Sequence, residues 1–444
     1  MIMSPSEAPS TRPLWALAWP MMLSNLSLPA LTLVDAAVLG HLPEPQHLAA
    51  VVLGSTLFSF LFWGFGFLRM GTTGQVAQGL GAASAGAEAA AGPSLRVLLG
   101  QGLTVALGAS ALCWLAGPVL IPQALEWLNA SADVAPVAER YALIRLLSAP
   151  AVLTTYVFVG TLVGLGEMRR VLAITVATQC LNIIFDLFFV LGLGLGAAGV
   201  AAGTVLAEGL GALLAVLQLR PALRRFPGSW GWRDLRAGYG AFLSLNSHLF
   251  IRTLALLGAL AVFTAQGAAQ GTVVVAANAL LMNLFMAVSY ALDGFAHACE
   301  TLIGQALGRR DGAALRHWVR ISLGLAFKVA LGASLLFALA GEGFIALLTD
   351  LPEVRAAATL ALPWLVALPV LAAGAFIFDG VFIGATATRA MRNTMLGAAL
   401  LVYAPALLAL EPLGNAGLWT ALALFFFARS ALLAGVYLRR GLTP

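Results

Sequence analysis

A chain of 444 residues that is 61% apolar and only 10% charged, with a mean hydropathy of +0.94, is not a soluble globular domain. It reads as a polytopic, all-helical membrane protein. The net charge of +5 and pI near 9.5 do not point to nucleic acid, because the arginines lie in short loops between apolar spans.

The first 13 residues are polar and proline-rich, with no small-residue cleavage site, so the apolar run that follows is expected to stay as an anchor. That run, 15–41, is long enough to cross a bilayer core of roughly 30 Å. It carries Asp35. A carboxylate at mid-membrane costs roughly 2.5–3.5 kcal/mol on insertion scales, so it is expected to face the protein interior. Asn25, Thr32 and Asp35 fall near one helical face, and Pro20 and Pro29 mark where the helix is expected to bend. An aspartate reaching the nearby surface is the plainer alternative.

Twelve spans are expected, roughly 14–40, 48–80, 95–120, 134–163, 169–194, 198–219, 238–266, 272–304, 314–340, 357–384, 390–411 and 414–438. They give a cytoplasmic segment 1–13, an N-lobe 14–219, a basic linker 220–237 with five arginines, a C-lobe 238–438 and a tail 439–444. The termini and the loops on their side hold 17 of the 24 basic residues, while the opposite loops hold mostly acids. By the positive-inside rule both termini are cytoplasmic.

The halves repeat. Pro150, Gly160 and Gly164 correspond to Pro369, Gly380 and Gly384 at an offset of 219–220, and LGAAG (195–199) to LGNAG (413–417) at 218. AQGLG (77–81) corresponds to GQALG (304–308) at 227. Six spans per repeat is an even number, so the repeats share orientation, as in transporters whose substrate path lies between parallel repeats.

Span five carries Gln179, Asn182 and Asp186 on one face, joined by Thr204 of span six. The two carboxylates Asp35 and Asp186, sharing a low-dielectric site, cannot both carry charge cheaply, so the set suits a proton that comes and goes; its hard oxygens equally suit a small cation. A hydrogen-bonded knot between helices is the competing reading. No acid stands at the repeat counterparts near 400–406. Span eight aligns Ser289, Asp293, His297 and Glu300 with Met282 and Met286, and span ten adds Asp379. Acids on a methionine-rich wall suit organic cations. Asp293 pairing with a buried Arg252 or Arg429 is the alternative there, and Glu208 of span six has no assigned role. Cys113, Cys180 and Cys299 have no metal-ligand spacing and read as packed free thiols.

With these residues assembled, the chain resembles the multidrug and toxic compound extrusion (MATE) family, in its DinF branch. The strings ALAWPMMLSNLSLPALTLVDAAVLGHL, FLFWGFGFLRMGTTGQVAQGLGA, LNIIFD, YALDGFAHACETLIGQALGRRDG and FIFDGVFIGATATRAMRN carry the likeness. The resemblance implies two six-helix lobes forming a V, export of lipophilic and often cationic compounds against inward H⁺ or Na⁺, and coupling residues at Asp35, Asn182, Asp186 and Thr204. It also implies a first helix that bends near Pro20. In the NorM-like branch an acid in span seven joins that of span ten; here span seven offers Asn246, His248 and Arg252 instead.

The expected protein is thus a monomeric H⁺ antiporter of the bacterial inner membrane, with Na⁺ as the other coupling ion. Its partners are small-molecule substrates and membrane lipid, and it needs no cofactor or resident metal. A flippase for lipid-linked precursors is the alternative function, but it would want a cavity rich in Arg or Lys. No GxxxxGK[ST], HExxH or CxxC motif is present, which argues against an ATPase or a metalloenzyme.

Overall fold

The computed structural model describes residues 11–40, 44–86, 93–128, 130–226 and 231–442, and those residues are helical with no strand among them. In chain order the helices are α1 (Arg12–Gly40), α2 (Pro45–Gly64), α3 (Phe67–Ser84), α4 (Leu95–Trp127), α5 (Ala135–Leu146), α6 (Ala149–Gly164), α7 (Met168–Asp186) and α8 (Gly196–Arg225). The short α9 (Trp232–Arg236) leads into α10 (Tyr239–Ala269), α11 (Thr272–Gly308), α12 (Gly312–Leu348), α13 (Pro352–Gly384), α14 (Thr388–Gly397), α15 (Ala404–Ala409) and α16 (Asn415–Arg440). π-helical turns, Leu187–Gly192 and Ala398–Tyr403, follow α7 and α14.

Ten of these spans, taking α2 with α3 as one, are long and apolar enough to cross a membrane, and an eleventh is made by α5 and α6 together. The 29-residue α1, over the first expected span, stands outside that count. It runs unbroken through Pro20.

Two expected spans are not single helices. The second pauses at Phe65 and Gly66 between α2 and α3. The fourth bends by 49° between α5 and α6. Pro150 explains the second break: it has no N–H to give the Leu146 carbonyl, which instead accepts the Trp114 indole N–H at 2.9 Å. The described parts of the basic linker, up to Phe226 and from Gly231, are tied to α4. Gln101 on α4 donates to the Leu235 and Ala237 carbonyls at 2.9 and 3.0 Å, and Arg96 donates to the Leu223 carbonyl.

The chain forms two compact units. One comprises 1–22, 77–91 and 247–444, the other 23–76 and 92–246. The boundary is therefore not a cut at the linker: α1 and α3 each contribute to both units.

Glycine placement explains how helices approach within each unit. In the unit of the first half, Gly160 and Gly164 of α6 lie against the Arg69 and Thr73 carbonyls of α3. In the other, Gly380 and Gly384 of α13 lie against the Ala296 and Glu300 carbonyls of α11. Arg69 and Thr73 correspond to Ala296 and Glu300 by the 227 offset, so the repeated glycines mark one crossing built twice. A further crossing is reciprocal, Gly81 against the Gln305 carbonyl and Gly308 against that of Gln78. Small residues let membrane helices come this close, and a side chain would hold them apart.

A Cβ at position 384 would stand 2.5 Å from the Glu300 carbonyl oxygen, whereas one at Gly258 of α10 meets nothing within 4 Å. Gly384→Ala is accordingly expected to destabilise the protein by roughly 1–3 kcal/mol through overpacking. Gly258→Ala should be neutral or gain up to about 1 kcal/mol of helix preference. Thermal melts of the two variants in one detergent provide the check, and equal melting points would refute the packing argument.

Candidate functional site

The polar residues of the first half converge on the face between α6, α7 and α8. Asn182 is 2% exposed and its Nδ2 donates to Thr204 Oγ1 at 3.0 Å, while the Thr204 hydroxyl donates to the Val200 carbonyl at 2.8 Å. Asn182 Oδ1 and Gln179 Nε2 are buried and make no hydrogen bond to any of the described residues. One turn beyond Asn182, Asp186 is wholly buried. It ends α7 and stands at the start of the π-helical turn Leu187–Gly192, a distortion that recurs at functional positions. Its carboxylate lies against α8 at Gly203, where a Cβ would come within 2.5 Å of Oδ1. Glycine there makes room for the acid.

Beside these residues is a cavity of about 210 Å³ lined by Thr155 and Tyr156 of α6, Thr175, Thr178, Gln179 and Asn182 of α7, and Thr204 and Glu208 of α8. α1 reaches the same region: Ser24 donates to Thr175 Oγ1 at 2.9 Å, and Asn25 is half-buried on that helix. Asp35 and Thr32 lie on helical backbone of α1, and their side chains fall outside the described residues.

One charged element of this site was not assigned from the sequence. Arg145, at the end of α5, donates to both carboxylate oxygens of Glu208 at 2.5 and 2.7 Å and also to Ser148 Oγ. Its guanidinium stands 5.6 and 5.4 Å from the ring centres of Phe58 and Phe62. The available signal was an arginine inside span four facing an acid inside span six, since a buried ion requires a counter-ion.

The second half is built differently. Asp379 of α13 accepts from Arg429 of α16 at 2.8 Å and from Arg252 of α10. All three side chains are at most 13% exposed. Both arginines therefore pair with Asp379, and Asp293 of α11 adds its field at Arg429. One turn before Asp379 the α13 ladder is opened by Ser430, which accepts from the Ala375 N–H at 2.9 Å and donates to the Leu371 carbonyl at 2.8 Å. Ser289 is buried and donates to the Phe285 carbonyl. Met282 packs against the apolar core around Phe285 and Trp419, and Met286 is half-buried. His297 and Glu300 pair at 3.0 Å. Of the cysteines, Cys113 and Cys299 are buried, and Cys180 is exposed rather than packed.

Asp379→Ala is expected to leave two buried guanidiniums facing each other and to cost roughly 3–5 kcal/mol. Detergent melts of that variant are the check, and an unchanged melting point would show that the cluster does not hold α10, α13 and α16 together.

The sequence matches the MatE family model over residues 20–188 and 249–408. It is similar to DNA damage-inducible protein F of Escherichia coli K12, at 41% identity over 97% of this chain and 92% of that one. It is also 27% identical to a probable multidrug resistance protein NorM of Mesorhizobium japonicum, covering 96% of this chain and 93% of the relative. Among solved structures, a mutant of the Vibrio cholerae MATE transporter VcmN superposes with a TM-score of 0.85 at 21% identity, over 97% of this chain and 98% of that one.

Proposed function

The chain belongs to the MatE family, in the DinF branch of the MATE transporters, and from that premise we propose that it exports lipophilic, often cationic compounds in exchange for protons. It is a multi-pass membrane transporter; the export direction, the ion and the substrate class are our reading. The observation that carries the reading is the first-half site. Asn182 and Thr204 line a cavity while Asp186, one turn away, is wholly buried at a helix distortion. A carboxylate in that position, with Asp35 expected on the neighbouring helix, can take up and release a proton as the cavity fills and empties. Substrate and proton then act on adjoining groups, which is what exchange requires.

The second half supports the same assignment. A coupling cation there would need Asp379 as a ligand, but two guanidiniums already occupy that carboxylate. The pairing also weighs against a flippase for anionic lipid precursors, since Arg252 and Arg429 are committed to Asp379. The inner membrane, cytoplasmic termini and a monomer complete the proposal, the orientation resting on the loop arginines.

An inward proton supplies roughly 2.3 kcal/mol per 100 mV, enough for about a 40-fold gradient of a neutral substrate. The test is proton movement in proteoliposomes loaded with a pH-sensitive dye. Addition of a transported compound in sodium-free buffer should release protons in proportion to the compound moved. Transport with no proton movement would refute exchange.

A further inference from the structure

Resting on that reading, we propose that Glu208 is the substrate anchor of the first-half cavity, positioned by Arg145. The cavity then selects compact cations bearing N–H donors, such as primary ammonium and amidinium compounds, over neutral or quaternary compounds of the same shape. Glu208 is the charged side chain among the described residues lining the cavity, and Arg145 is not a lining residue. The arginine is 9% exposed, and its fork grips the carboxylate from behind through two bonds of 2.5 and 2.7 Å. A carboxylate has about four lone-pair sites and this grip takes two, leaving acceptor capacity toward the cavity. The pair is also neutral as a whole, which makes an acid inside a membrane tolerable while the cavity is empty.

The neighbouring atoms define the ligand further. Thr204 and Glu208 stand four apart on α8 and so share a face. Among the described residues, Asn182, hydrogen-bonded to Thr204, keeps its Oδ1 unused, and Gln179 keeps its Nε2 unused, both side chains being at least nine-tenths buried. The Glu208 carboxylate and Asn182 Oδ1 are acceptors that fit a cation with several N–H groups, and Gln179 Nε2 is a donor beside them; a quaternary ammonium has no N–H to offer. At about 210 Å³ the cavity falls below the roughly 300–1,000 Å³ of drug-sized pockets, so the compound, or the part of it seated here, is small. Asp186 is wholly buried and does not line the cavity, so binding and proton exchange fall to different acids.

The test compares three probes on purified protein in lipid nanodiscs at neutral pH: 2-phenylethylamine, 2-phenylethanol and trimethyl(2-phenylethyl)ammonium. Affinities are measured for wild type, Glu208→Gln and the double variant Arg145→Gln, Glu208→Gln. Wild type should bind the primary amine at least about ten-fold more tightly than the other two. Both variants should lose at least about ten-fold for the amine and less than about two-fold for the alcohol. The double variant replaces an ion pair by a neutral amide pair, so its melting point should stay near wild type while selectivity stays lost. A structural role alone would restore both. Equal affinities for the three probes in wild type, retained amine affinity in the variants, or a parallel loss of all probes would overturn the proposal. Proton release by wild type on addition of a transported compound is measured separately, so failure of the anchor and failure of the exchange reading are distinguishable.

Discussion

Asp35→Asn is expected to give a protein that inserts, folds and melts like wild type but exports at the rate of protein-free liposomes under a pH gradient. Asn has the shape of the protonated carboxyl and cannot release a proton, so the variant is held at one point of the cycle. Stability should not fall, because an ionised carboxylate in an apolar span is itself a cost of roughly 2.5–3.5 kcal/mol. Position 35 lies within the continuous helix α1, in the unit that takes that helix from Leu23 onward. Substrate export and protein yield, measured together, decide the matter. Normal export by a well-folded variant would remove Asp35 from the coupling site.

The second large effect is expected at Asp186. Asp186→Asn should lower pH-driven export at least ten-fold, roughly the effect of losing 1.4 kcal/mol of coupling. The acid is fully buried where α7 gives way to a π-helical turn. Its position depends on the absence of a side chain at Gly203, whose Cβ would lie 2.5 Å from Oδ1. Gly203→Ala therefore displaces the carboxylate without changing any charge and should reproduce much of the loss. If Gly203→Ala exports normally while Asp186→Asn does not, charge alone matters and the packing against α8 does not. If both export normally, Asp186 has no part in coupling.

The spans were legible because each buries its backbone in one apolar helix, which leaves a run that hydropathy detects without knowledge of neighbours. The repeated glycines were legible as a pattern, yet only the structure shows their use: Gly160 and Gly164 seat on α3 as Gly380 and Gly384 seat on α11. The bend in span four was harder to read, because Pro150 acts on a carbonyl four residues earlier and the compensating donor, Trp114, lies in another span. Pairings between spans were the least legible. Sequence offered Asp293 as a partner for Arg252 or Arg429 and gave no sign that both arginines meet Asp379. Arg145 and Glu208 are 63 residues apart, and no periodicity links them.

The most direct test of proton exchange at a first-half site is wild-type export from proteoliposomes under one imposed gradient at a time. An inward pH gradient in sodium-free buffer should drive export. An inward sodium gradient at constant pH, with a protonophore holding the proton gradient at zero, should drive none. Robust export under the sodium gradient would contradict the account.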